Sequence, residues 1–97
     1  MSQICSAIRE KKIIEFNYHG YHRVVEPHLV GVHKDTGTEK LRGYQTAGGS
    51  EHGNIPDWRL FNINEIESLK VIDRNFSGAR SGYNPNDKHM SSVICRI

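Results

Sequence analysis

"IIEFNYHGYHRVVEPHLVGVH", residues 13 to 33, is the stretch that decides the fold class. Ile14, Phe16 and Tyr18 alternate with Glu15 and Asn17, a period of two that predicts a strand with one apolar face. His19-Gly20 then sits between two tyrosines, and a glycine there is free to take the positive φ that a two-residue hairpin turn needs. The return strand is long and contains Pro27, whose missing N–H marks an edge position or a bend.

Working outward, Ser2 can cap a short helix in which Ile4, Ala7 and Ile8 share a face opposite Arg9 and Glu10. "KDTGTEK" (34–40) reads as a turn. A strand through Leu41–Thr46 follows, then the loop "AGGSEHGNIPD" and a short strand over Trp58–Phe61. That loop is long for so small a domain, and loops of this length are often functional. Asn62 and Glu65 form a weak capping box for one helical turn, ahead of a last strand at 69–73. Asn84-Pro85 with Asp87 predicts a C-terminal helix, and Met90, Val93, Ile94 and Ile97 fall at helical spacing along it. Short antiparallel strands in a chain of this size usually curl up to remove their edges. The expected fold is therefore mainly β: a small barrel of about five antiparallel strands with an N-terminal helix over 1–76, and an extension with a short helix over 77–97.

With 97 residues, 36% hydrophobic and 25% charged, the chain is expected to be one soluble domain. Its apolar runs are too short for a membrane span or a secretory signal. A net charge of +2 is too small by itself to indicate nucleic acid. Cys5 and Cys95 lie near opposite ends without CxxC spacing, which predicts two reduced thiols in a cytoplasmic protein.

Several segments, taken in order, resemble the WYL domain of bacteria and phages: Ala7-Ile8, Phe16 and Tyr18, Arg23-Val24 with Glu26-Pro27, Leu41 through Tyr44, and Arg59-x-Phe61 with Ile66. The match spans roughly residues 4 to 73, and order and spacing carry it rather than any one motif. Where the family has its Trp-Tyr-Leu, this chain reads Glu39-Lys40-Leu41, and the family's Arg-Ile is Glu65-Ile66 here. The resemblance implies an Sm-like small β-barrel that senses ligands. Such domains usually serve transcription regulators or CRISPR and other defence systems. Several members bind nucleotides or single-stranded nucleic acid through basic and aromatic residues on one barrel face. No DNA-reading helix pair precedes the hairpin, so a divergent, free-standing member is expected.

Arg42 and Tyr44 are two apart on a strand and point the same way, and Arg59 on the next strand could join them if the two strands pair. Arg23 would add a further contact, with Gln45 nearby. Guanidinium forks match phosphate and a tyrosine face can stack a base, so these five are the expected ligand-binding residues. Gly48, Gly49 and Ser50 could form a backbone anion nest, although no P-loop pattern is present. The competing reading pairs the arginines with Glu26, Glu39 or Glu65, packs Tyr44 in the barrel, and gives the glycines to turn geometry. Six histidines show no metal-ligand spacing, so no metal is expected. The cysteines read as small hydrophobes, and Ser50 with His52 is poor evidence for a triad, so neither catalysis nor a cofactor is expected. The functional expectation is a regulatory module that binds a nucleotide or single-stranded nucleic acid. Its rival is a homodimerisation or partner-docking module built on Met90, Val93, Ile94 and Ile97.

Overall fold

The structure is a computed structural model that describes residues 2–51 and 53–97, without the side chain of Ser2. Helix α1 (Ser2–Glu10) leads into β1 (Lys12–Tyr18), β2 (Tyr21–His33), β3 (Glu39–Gly48) and β4 (Asp57–Asn62). A single 3-10 turn (Ile63–Glu65) then precedes β5 (Glu67–Asn75) and β6 (Met90–Arg96). All strand pairs are antiparallel, in the order β4-β3-β2-β1-β5, with β6 paired to β2 beside that path.

The hairpin at Tyr18↔Tyr21 closes with φ of 50° at His19 and 80° at Gly20. Positive φ at both central residues is the turn whose twist matches that of the strands it joins. The bend expected at Pro27 is a bulge: Pro27 pairs with Gly43, Leu29 with Arg42, and His28 is the extra residue. The extra residue reverses the side-chain alternation, so Val25 and Val30 both enter the same core. It also lets β2 serve two neighbours on one side. Residues 21–25 pair with β1, and residues 29–33 pair with β6.

The core lies on the inner face of this sheet, under α1. Ile4, Ala7 and Ile8 pack there with Ile14, Phe16, Tyr18, Val25, Val30, Leu41 and Phe61. Phe61 of β4 meets Phe16 and Tyr18 of β1 edge-on at 5.0 Å, although two strands separate β4 from β1 in the sheet. The Asn62 N–H also donates to the Tyr18 hydroxyl at 2.9 Å. The sheet is therefore strongly curled. Among the described residues no ladder joins β4 to β5, so the sheet stays open where a closed barrel was expected.

The C-terminal helix is replaced by β6. The residues that suggested a helix cap instead close turns: Asn84 Oδ1 accepts from the Asn86 N–H, and Asp87 Oδ1 from the His89 N–H. The helical spacing of Met90, Val93, Ile94 and Ile97 belongs to a strand with two register shifts, one between Val30 and Gly31 and one between Val32 and His33 of its partner. Each extra residue breaks the period of two.

The expected free thiols are also corrected, because Cys5 and Cys95 form a disulfide between α1 and β6. Ninety positions separate them in sequence, and only the docking of β6 beside β2 brings them together. The argument from reduced thiols to the cytoplasm falls with this finding. No described helix is long and apolar enough to cross a membrane.

Candidate functional site

Strands β3 and β4 do pair, with Gly43 opposite Arg59 and Tyr44 opposite Trp58. Residues opposite one another share a face. Arg59 therefore lies on the inner face with Gly43, Leu41 and Gln45, while Arg42 and Tyr44 lie on the outer face with Trp58 and Leu60. The expected constellation is split by the sheet.

On the inner face Arg23 and Arg59 line one cleft of about 210 Å³ with Tyr18, His19, Ser50 and Glu51. Arg23 is only 4% exposed. Its Nη1 donates to Gln45 Oε1 at 3.3 Å and its Nη2 to the Tyr18 carbonyl at 3.0 Å. Rings of Tyr18 and Tyr21 lie 5.5 Å from its Cζ. No carboxylate among the described residues bridges it, whereas a buried charge ordinarily has such a partner. Burial presses the Arg23 guanidinium below its ordinary pKa; Glu51 opposes this and the neighbouring Arg59 adds to it.

Arg59 is anchored from the loop side. Its Nη2 donates to Ser50 Oγ at 3.3 Å and to the Asn54 carbonyl at 2.6 Å, and its Nη1 reaches the Trp58 carbonyl and Asp57. The Nε of Arg23 and the Nε of Arg59 are both buried without a hydrogen-bond partner among the described residues. A buried donor left unmade costs about 1–3 kcal/mol, more for a charged group. Two such donors in one cleft form a site short of acceptors.

Gln45 is fully buried and holds the cleft together. Its amide donates to the Ala47 and Gly49 carbonyls at 3.1 and 2.9 Å while its carbonyl oxygen receives Arg23. It positions Arg23 and the start of the loop. Gly48 and Gly49 answer to close packing: a Cβ on Gly48 would stand 2.1 Å from the His22 carbonyl oxygen, and one on Gly49 2.5 Å from the Tyr21 ring. The Gly49 N–H is also spent on His22, at 2.9 Å.

His19 went unnoticed in the sequence as anything but a turn residue, yet it crosses the cleft mouth. Its Nδ1 lies 2.8 Å from Glu51 and its Nε2 2.6 Å from Glu65. Hydrogen bonds to Glu65 and then Glu51 raise the His19 pKa, and the bond to His19 lowers that of Glu65. Asn62 Nδ2 also donates to Glu65. The signal available in sequence was a histidine beside a glycine in a turn, and it carries no chemistry by itself.

On the outer face Arg42 is committed to Asp87, with Nε–Oδ2 at 2.8 Å and Nη2–Oδ1 at 3.5 Å, and its Nη2 lies 3.1 Å from His89. Tyr44 lies under Arg80, whose Cζ is 4.8 Å above the ring, and Arg80 is held bidentately by Glu26 at 2.7 and 2.9 Å. Residues 77–89 thus cover the strand pair that the resemblance pointed to. Among the described residues no group of three or more His, Cys, Asp or Glu could hold a metal ion, and His52 lies outside them, as does any pairing of it with Ser50. Comparison with known proteins gives no matching family model, no matching curated protein and no matching solved structure.

Proposed function

We propose that this chain is a non-enzymatic sensing module that binds a phosphate-bearing ligand, a nucleotide or a single strand of nucleic acid, in the cleft between Arg23 and Arg59. The observation that carries the reading is that two arginines, each with a buried Nε lacking an acceptor among the described residues, line one cleft. The phosphates of such a ligand supply acceptor oxygens to both guanidinium forks. Tyr21 stands beside Arg23 with 41% of its surface exposed and offers a ring on which a base can stack. The WYL resemblance supports the same site, because Arg23 and Arg59 both fall in its matching segments. The helix followed by strands in the order β4-β3-β2-β1-β5 supports the Sm-like form of the fold. Arg42 and Tyr44 drop out of the site and Gln45 becomes a positioning residue.

A fluorescent single-stranded oligonucleotide, DNA and RNA in turn, titrated across salt concentrations, tests this. Two phosphate contacts on a single strand imply a log–log salt slope of roughly −1.4. Arg59→Gln is expected to weaken binding and reduce the slope by about half, while Arg74→Gln, an exposed change outside both pockets, leaves both unchanged. Equal binding by wild type and Arg59→Gln would refute the site. A protein-docking reading has one observation in its favour: β6 pairs with β2 alone and exposes Val93 and Ile94 at 40% and 42%. Sedimentation of wild type against Ile94→Lys tests it, with a dimer lost in the variant as the supporting result.

A further inference from the structure

We propose that the outer face carries a second ligand site, a pocket between Trp58, Tyr83, Arg42 and Lys88 that takes a small planar aromatic ring bearing an anionic group. The pocket encloses about 320 Å³, within the range of small-molecule sites, roughly 300–1,000 Å³. β3 supplies Arg42, β4 supplies Trp58, and the segment after β5 supplies the rest. It shares no lining residue with the Arg23–Arg59 cleft, because Trp58 and Arg59 leave β4 on opposite faces.

One wall is aromatic and already set in place. The Trp58 and Tyr83 rings lie 21° from parallel with centroids 6.2 Å apart. Trp58 Nε1 donates to the Ser81 carbonyl at 3.0 Å, and Tyr44 and His28 brace the indole edge-on at 5.4 and 4.7 Å. Gly82 must be glycine here, since its φ is +91° and a Cβ would stand 3.1 Å from that same nitrogen. The indole's one donor is satisfied and its rotamer is held, so it offers a flat face at little entropic cost.

The opposite side decides the charge of the ligand. Arg42 and Asp87 neutralise one another at 2.8 Å. What remains in the lining is Lys88, exposed and in none of the ion pairs among the described residues, with Asn84 and with His89, whose Nδ1 lies 3.4 Å from Asp87. An aromatic cation would meet Lys88 with Asp87 already engaged. An aromatic anion places its ring on Trp58 and its charge on Lys88.

Trp58 is the chain's single tryptophan, so intrinsic fluorescence excited at its red edge reports the pocket directly. Adenosine monophosphate and benzoate are titrated in turn, with adenosine and inorganic phosphate as the half-ligands. Saturable quenching by the ring-bearing anions, at least tenfold tighter than by either half-ligand, is expected. Tighter binding of the monophosphate assigns the site to nucleotides, and tighter binding of benzoate assigns it to aromatic carboxylates. Lys88→Glu, a surface change, should weaken binding about tenfold or more. Arg59→Gln should leave the quench intact, which separates this site from the cleft. The Trp58 Nε1–H resonance is followed in the same titrations, so that binding without quenching is still seen. No saturable change in either signal, an unchanged affinity in Lys88→Glu, or loss of the response in Arg59→Gln would overturn the proposal.

Discussion

Arg23 and Arg59 come from strands that do not touch in the sheet, yet their guanidinium groups share one cleft and the Nε of each is buried without a partner among the described residues. β3 lies between β2 and β4, and the curl that brings Phe61 onto Phe16 and Tyr18 aims both side chains at one place. The core that stabilises the fold also assembles the cleft.

The cleft should lose anion affinity as pH rises. His19 is protonated below its raised pKa, where it offsets Glu51 and Glu65 while stacking on Tyr18 at 4.1 Å. Above that pKa the two carboxylates lose His19 as a counter-charge: Glu51 then faces Arg23 with its full charge, and Glu65 keeps Lys40 as an opposing cation. The stability due to His19 has the same sign: it is present below pH 6.5 and lost as pH rises through the folded value. Oligonucleotide affinity measured from pH 6 to 9 should fall, and His19→Gln should flatten the profile.

His28 acts in the opposite direction. Its Nε2 accepts from the Arg80 N–H at 3.1 Å, so its Nδ1 carries the proton and donates to the Glu26 carbonyl at 2.8 Å. Desolvation lowers its pKa, and the ring is neutral in the fold. The unfolded chain then binds the extra proton as pH drops below 6.5, and stability falls by at most about 1.4 kcal/mol per pH unit until the folded pKa is reached. Urea unfolding at pH 7 and pH 5, followed by Trp58 emission, should show this loss, and His28→Gln should reduce it.

Reduction of Cys5–Cys95 should loosen one side of the molecule while leaving the cleft in place. The bridge closes a loop of about ninety residues, for which the chain-entropy model gives roughly 4–5 kcal/mol. Amide exchange under reductant should rise in α1 and β6 and stay slow in β1 through β4. Equal exchange throughout would mean that the bridge does not govern this edge.

The hairpin was legible because Ile14, Phe16 and Tyr18 keep a strict period and Gly20 marks its turn. The two strands on either side of the long loop were legible as strands, while their pairing stayed open. The facing of Arg59 against Arg42 was not legible, since it depends on the register across an eleven-residue loop, and a shift of one residue reverses every side chain. β6 was misread because bulged strands mimic helical spacing and because Asn84 and Asp87 serve turns as readily as caps. The disulfide was hidden by ninety intervening residues. Nothing in sequence marks a guanidinium as lacking an acceptor, and the cleft's defining property appears only in three dimensions.

The central claim is that Arg23 and Arg59 together hold one phosphate-bearing ligand. The most direct test follows the arginine Nε–Hε resonances during titration with a short single-stranded oligonucleotide, assigned through Arg23→Lys and Arg59→Lys. The account predicts that these two resonances move together, downfield and saturably, as their unpartnered donors gain acceptors, while those of Arg42 and Arg80 stay where they are. Movement of Arg42 or Arg80 with Arg23 and Arg59 unmoved would contradict it.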